Sequence, residues 1–137
     1  MFASPRTHAD SYHRVHVETG AQAGDPHKLI EMLLQGAIDA IHKARGALER
    51  QDLRVKGEQV GKAVRIVEEG LRAALDPVAG GQIAVELDQL YGYVVRKLTL
   101  ANIRNDDAAL MECAQLLQPI QDAWAGIRPA VGSGRPQ

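Results

Sequence analysis

Between Gly80 and Asp106, Ile83, Leu87, Leu90, Val94, Leu98 and Ala101 recur at steps of three and four residues. At about 100° per residue these positions share one face, so the spacing predicts an amphipathic helix. The pair Gly80-Gly81 marks its expected start and Asn105-Asp106 its stop. Tyr91 and Val95 widen the stripe, while Val85, Tyr93, Leu100 and Ile103 project from the back. A surface helix needs one apolar face to join a core. A helix with two is either covered on both or has a surface left for a partner.

Three further stretches repeat the pattern. Asp25-Pro26 reads as a cap followed by a proline at the first helical position, where its missing amide costs nothing. From Pro26 to about Arg50, Ile30, Leu33, Leu34, Ala37, Ile41, Ala44 and Leu48 line one face. After a tight turn at Gln51-Asp52, a single helix is expected from about Leu53 to Leu75. Val60, Val64, Val67, Leu71 and Leu75 form its stripe, with Val55 and Ile66 on its back. Asp76 to Gly81 is the clearest break. Asp106 then caps a fourth helix to about Ile127, with Leu110, Cys113, Leu117, Ile120, Trp124 and Ile127 on one face, and with an expected kink at Pro119. Four helices, each ~30 Å long, on short loops predict an all-α fold, an antiparallel up-down four-helix bundle. A short N-terminal arm or helix, residues 1–24, precedes the bundle at 25–127. The Gly- and Pro-rich stretch 128–137 is expected to be disordered. Within the arm, Tyr12, Val15 and Val17 form an apolar patch too short to be stable alone.

The 137 residues suit one domain. A net charge of -1 without a basic block disfavours nucleic-acid binding. The lone Cys113 excludes an internal disulfide, no run approaches the ~20 apolar residues of a membrane span, and the N-terminus has no apolar signal core. A soluble cytoplasmic protein without membrane insertion is expected.

Catalytic chemistry finds little support. His13 and His16 lack Cys or acidic companions at ligand spacing. Cys113 falls on the core face, and the pairs Glu68-Glu69 and Asp106-Asp107 do not converge on a helix. No phosphate-binding glycine loop is present. Neither a metal nor a cofactor is expected, and the chain reads as a non-enzyme. One rival constellation stands out. His42-Lys43-Ala44-Arg45-Gly46 resembles the histidine-phosphotransfer pattern, with His42 facing solvent, a basic residue to steady a phosphate, and a glycine giving access. The apolar residues behind the second and third helices leave three readings open: wide buried faces, a structural homodimer, or a bound partner.

Several segments carry a more specific likeness. Asp25-Pro26-His27-Lys28-Leu29-Ile30-Glu31-Met32-Leu33, Gly36-Ala37-Ile38, Gly80-Gly81-Gln82-Ile83-Ala84, the run Leu87, Leu90, Tyr91, Tyr93, then Ala101-Asn102-Ile103-Arg104-Asn105-Asp106 and Asp122-Ala123-Trp124 resemble the flagellar secretion chaperone FliS family in order and spacing. Tyr12 matches the tyrosine near that family's N-terminus. There are two departures. Leu34-Gln35 stands where the family often has an aromatic residue, and Asp25-Pro26 replaces its Ser-Pro helix start while keeping the capping chemistry. The resemblance implies a cytoplasmic chaperone that holds the disordered C-terminal segment of flagellin, keeps it from polymerising before type III export, and delivers it to the export gate. On this reading the expected partner-binding residues are Tyr12, Val15, Ile66, Tyr91, Tyr93, Val95, Leu100 and Ile103, with a homodimer as an option for the free protein.

Overall fold

The computed structural model describes residues 25–127, so the arm with Tyr12 and Val15, the pair His13 and His16, and the tail 128–137 lie outside the described residues. Four helical rods follow in order. They are α1 (Pro26–Glu49), α2 (Leu53–Arg65, continued as a π-helical turn over Ile66–Arg72), α3 (Pro77–Arg104) and α4 (Asp107–Gly126). Among the described residues there is no strand.

An aspartate opens every rod. Asp25 accepts from the Lys28 amide at 3.0 Å, Asp52 from Val55 at 3.2 Å, Asp76 from Val78 and Ala79 at 3.0 and 3.1 Å, and Asp106 from Ala109 at 3.1 Å. Each carboxylate satisfies amides that a helix start leaves without an intrahelical partner. Two of the turns are closed by residues in the left-handed region, Gln51 with φ 61° and Asn105 with φ 52°.

Cross-bundle contacts fix the topology. His27 meets Trp124, while Arg45 meets Asp107, so α1 and α4 run antiparallel. Arg72 meets Asp88, while Lys56 meets Asn102, so α2 and α3 do too. Each helix packs on two neighbours, with α1 diagonal to α3 and α2 diagonal to α4. This is the expected up-down bundle. The core between the rods is aliphatic: Leu34, Ile41, Val67, Val94, Leu98, Leu110 and Leu117 are wholly buried. Ala37, Ala40, Ala44 and Ala47 let α1 lie close to its neighbours.

The second helix is not the uniform rod expected over 53–75. From Ile66 the chain widens to a π-helical turn, closed by the Ala73 amide on the Glu68 carbonyl at 3.2 Å. Gly70 explains part of this. A Cβ there would lie 3.2 Å from both terminal methyls of Leu33, so the bare backbone comes right up to α1. The widened turn also brings Arg72 round to lie over Gly92 of α3, where its guanidinium pairs with Asp88 at 2.8 Å and Glu68 at 3.2 Å.

The third helix starts earlier than the glycine pair suggested. Asp76-Pro77 repeats the cap-and-proline signature of Asp25-Pro26, and the glycine pair falls inside the helix as a kink. Gly81 has φ 56° and ψ -133°, a conformation closed to side-chain-bearing residues. Pro119 does not interrupt α4, which runs through it from Asp107 to Gly126. It lies exposed, and its ring nitrogen leaves one backbone hydrogen bond unmade.

One buried cation joins the ends of two rods. Lys56 is 6% exposed, and its ammonium donates to the Asn102 carbonyl at 2.8 Å and to Asn102 Oδ1 at 2.6 Å. No carboxylate shares it among the described residues. Hydrogen bonds from a charged donor contribute more than neutral ones. Lys56→Met is therefore expected to lower unfolding free energy by about 1–2 kcal/mol, read as a lower urea midpoint at constant m-value.

Candidate functional site

Helix α3 has the least support in the bundle, because its seam with α4 is the least extensive of the four. It is also where the exposed apolar residues concentrate. Val78, Ile83, Val85, Leu100 and Ile103 all belong to α3, against Leu53, Met111 and Ile127 elsewhere. Val85 and Ile103 stand eighteen residues apart, five full turns, and so point the same way. Val94 is nine residues from each, half a turn out of phase, and is wholly buried. The outer face of α3 is therefore apolar directly opposite its core face. Leu100 at 43% exposure and Ile103 at 71% stand on it as expected.

The other expected residues do not join them. Tyr91 is only 2% exposed and belongs to the core, which corrects its assignment as a contact residue. Its spacing with Val94, Leu98 and Ala101 places it on the buried stripe. Ile66 is half-buried, with its Cδ1 3.5 Å from where a Cβ on Gly36 would stand, so it fills the α1–α2 seam instead of facing α3. Val95 is half-buried and packs on the core. It lies midway between Asp88 and Asn102, the two residues through which α3 bonds α2. Tyr93 is half-buried on the opposite flank, where its hydroxyl donates to Glu112 of α4 at 2.6 Å. Lys97 Nζ lies 3.5 Å from the other oxygen of the same carboxylate. The hydrogen bond to Glu112 raises the Tyr93 phenol above its ordinary value, and Tyr93 and Glu112 together raise Lys97.

The structure adds apolar residues that the spacing places on the core face. Ile83 is 68% exposed, and Leu87, Leu90, Ile120 and Trp124 are only partly buried. Core-facing residues of α3 nearer its middle, Val94 and Leu98, are sealed. The difference is one of level. Ile83 and Trp124 stand near the end of the bundle where α1 and α3 begin, and where Ile30 of α1 is also only partly covered. There His27 donates from Nε2 to the Trp124 carbonyl at 2.8 Å, with the two rings 4.6 Å apart and tilted by 47°. The core is open at this end. Helical phase carries no information about how far along a bundle the cover extends. The available signal was the glycine pair beside Ile83.

The histidine constellation sits elsewhere, on the α1–α4 face. His42, Arg45, Gly46, Leu48, Glu49 and Asp107 line a shallow cleft of about 600 Å³. His42 is exposed, as expected. Arg45, the residue that would steady a phosphate, is held by Asp107 through two bonds of 2.8 and 3.2 Å, and this pairing keeps the Asp107 carboxyl below its ordinary value. Two carboxylates in the cleft, those of Glu49 and Asp107, would repel a phosphoryl group. Cys113 is equally unsuited to nucleophilic work. Burial pushes its thiol up to about 12, and its Sγ lies 3.8 Å from the Val94 carbonyl. Among the described residues no His, Cys, Asp and Glu cluster could hold a metal, and no helix is long and apolar enough to cross a membrane.

The arrangement consists of an apolar ridge along one lightly supported helix and a core open at one end. Comparison with known proteins gives the family. The chain is 45% identical over 119 residues to the flagellar secretion chaperone FliS of Salmonella typhimurium, covering 87% of this chain and 88% of that one. It is 41% identical over 116 residues to the flagellar secretion chaperone FliSB of Pseudomonas aeruginosa, covering 85% and 91%. It is 38% identical over 119 residues to the Vibrio cholerae FliS chaperone, covering 87% of each. The family described as flagellar protein FliS matches residues 8–131, nearly the whole length. With the bundle, the ridge and these relatives in agreement, the chain belongs to the flagellar protein FliS family.

Proposed function

We propose that this protein is a cytoplasmic, non-enzymatic chaperone that holds the disordered C-terminal segment of flagellin until type III export. The observation that carries the reading is the ridge of exposed apolar side chains on α3, opposite the sealed core residues Val94 and Leu98. An isolated amphipathic segment cannot bury its own apolar stripe and self-associates. Laid on α3 in the helix-in-groove mode, it buries that stripe against Val85, Leu100 and Ile103. Burial contributes about 25 cal/mol per Å², offset by several kcal/mol for ordering a disordered chain, so tight binding needs a long contact. Val85 to Ile103 spans ~27 Å of helix. Tyr93 and Val95 flank this path and adjust to the segment. The Tyr12–Val17 arm covers part of the surface in the free protein, competing with the client, and the loaded complex is handed to the export gate.

Titration with a flagellin C-terminal peptide tests the reading. Trp124, partly buried at the open end, is expected to change fluorescence with one-to-one stoichiometry, and amides of α3 to gain protection from hydrogen exchange. Removing the residues before Val17 is expected to leave the helix content intact and to tighten binding. Absence of a complex, or a self-associated dimer that ignores the peptide, would remove the proposal.

A further inference from the structure

The outer surface of α3 changes charge along its length. Its first half carries Glu86 and Asp88, the latter bound by Arg72 at 2.8 Å. From Tyr91 to Arg104 there are three cations, Arg96, Lys97 and Arg104, and no acid at all. Arg96 and Arg104 are exposed and have no ion-pair partner among the described residues. Lys97 faces Glu112 at the loose distance of 3.5 Å. Beneath the same end of the helix lies the Lys56 ammonium, neutralised by no carboxylate. The carboxylates nearest in sequence are already engaged, Asp106 in capping α4 and Asp107 with Arg45. In a chain whose net charge is -1, this concentration is local. It is interleaved with apolar residues, because Leu100 and Ile103 stand between Arg96 and Arg104 on the outer face.

We infer that the C-terminal half of α3 is a cradle for an acidic stretch of the bound segment, and that it fixes the direction in which the segment lies along the helix. The inference rests on the reading of α3 as the docking ridge. A purely apolar ridge accepts an amphipathic segment in either direction. A ridge with unpaired cations at one end and, at the other, no cation and the Glu86 carboxylate penalises the reversed arrangement, where like charges meet. Leu100 and Ile103 supply area, and Arg96 and Arg104 supply polarity.

The test uses the full chain and two synthetic amphipathic peptides of about 20 residues, long enough to follow α3 as helix. They share one leucine spacing, and one half of each carries either glutamates or lysines. At low salt the glutamate peptide is expected to bind about tenfold more tightly or better, with the gap closing near 1 M salt, where the Debye length falls to about 3 Å. In Arg96→Glu/Arg104→Glu, with helix content checked by circular dichroism, the preference is expected to reverse. A photo-crosslinker at the acidic end should mark the stretch holding Leu100, not the one holding Ile83. Equal affinities, an unchanged preference in the double variant, or crosslinks spread over both ends would overturn the inference. So would anionic phospholipid vesicles being the only Arg96- and Arg104-dependent ligand. A flagellin C-terminal peptide run in parallel separates the two proposals. If it binds wild type and Arg96→Glu/Arg104→Glu equally well, the chaperone reading stands and the polarity falls. If it binds neither form, the chaperone reading falls, and the inference falls with it.

Discussion

In Leu100→Ser/Ile103→Ser, affinity for a flagellin C-terminal peptide is expected to fall by about a hundredfold or more, while the thermal midpoint hardly moves. Fully burying a large aliphatic side chain contributes about 1.5–3 kcal/mol, and each factor of ten in affinity corresponds to about 1.4 kcal/mol. Two such side chains, covered by the client and then truncated, account for the loss. Stability is spared because both are already open to solvent, and surface substitutions away from special features stay within about 0.5 kcal/mol. Serine is chosen over aspartate so that the change does not oppose the dipole at the end of α3 or alter its charge. Calorimetric titration beside a thermal melt decides the matter. A normal affinity would move the client off this ridge, and a large drop in midpoint would mean that the two side chains serve the fold.

Gly70→Val is expected to do the converse. It should cost about 2–3 kcal/mol of stability, measured by denaturant unfolding, and should leave the intrinsic affinity of the folded fraction nearly unchanged. A Cβ at Gly70 would stand 3.2 Å from the Leu33 methyls, and Leu33 is 1% exposed, so it has no free space to retreat into. The backbone must then open the α1–α2 seam. Shortening the opposing side chain as well, in Gly70→Val/Leu33→Ala, is expected to recover part of the loss, since the two residues share one contact. A neutral Gly70→Val would show that the π-helical turn absorbs the added bulk by itself.

The architecture was legible because it depends on local signals. Asp25-Pro26, Asp52 and Asp106 were read as helix starts or turns, and the stripes from Leu33 to Ala44 and from Leu110 to Leu117 are buried as the spacing requires. What could not be read depends on neighbours. Tyr91 looked like a flank residue because a stripe has no sharp edge in phase alone, yet the packing of α3 seals it. Ile66 looked outward because phase was counted at a regular 3.6 residues per turn, and the chain leaves that winding at Ile66 itself. Ile83 shared a face with Val94, but standing on a core-facing azimuth does not ensure cover near the end of a bundle. Leu100 and Ile103 were identified by standing off the stripe, a property that survives any error of level.

The wide turn at Ile66–Arg72 gives α2 one residue beyond what a regular rod of its length would hold. Lys56 upstream is keyed to the far end of α3, while Gly70 and Arg72 downstream are keyed to Leu33 and Gly92. The surplus residue acts as a phase adjuster between these two sets of fastenings. Trimming it would leave a smoother helix whose lower half is rotated by roughly 100° against the neighbours it was cut to fit.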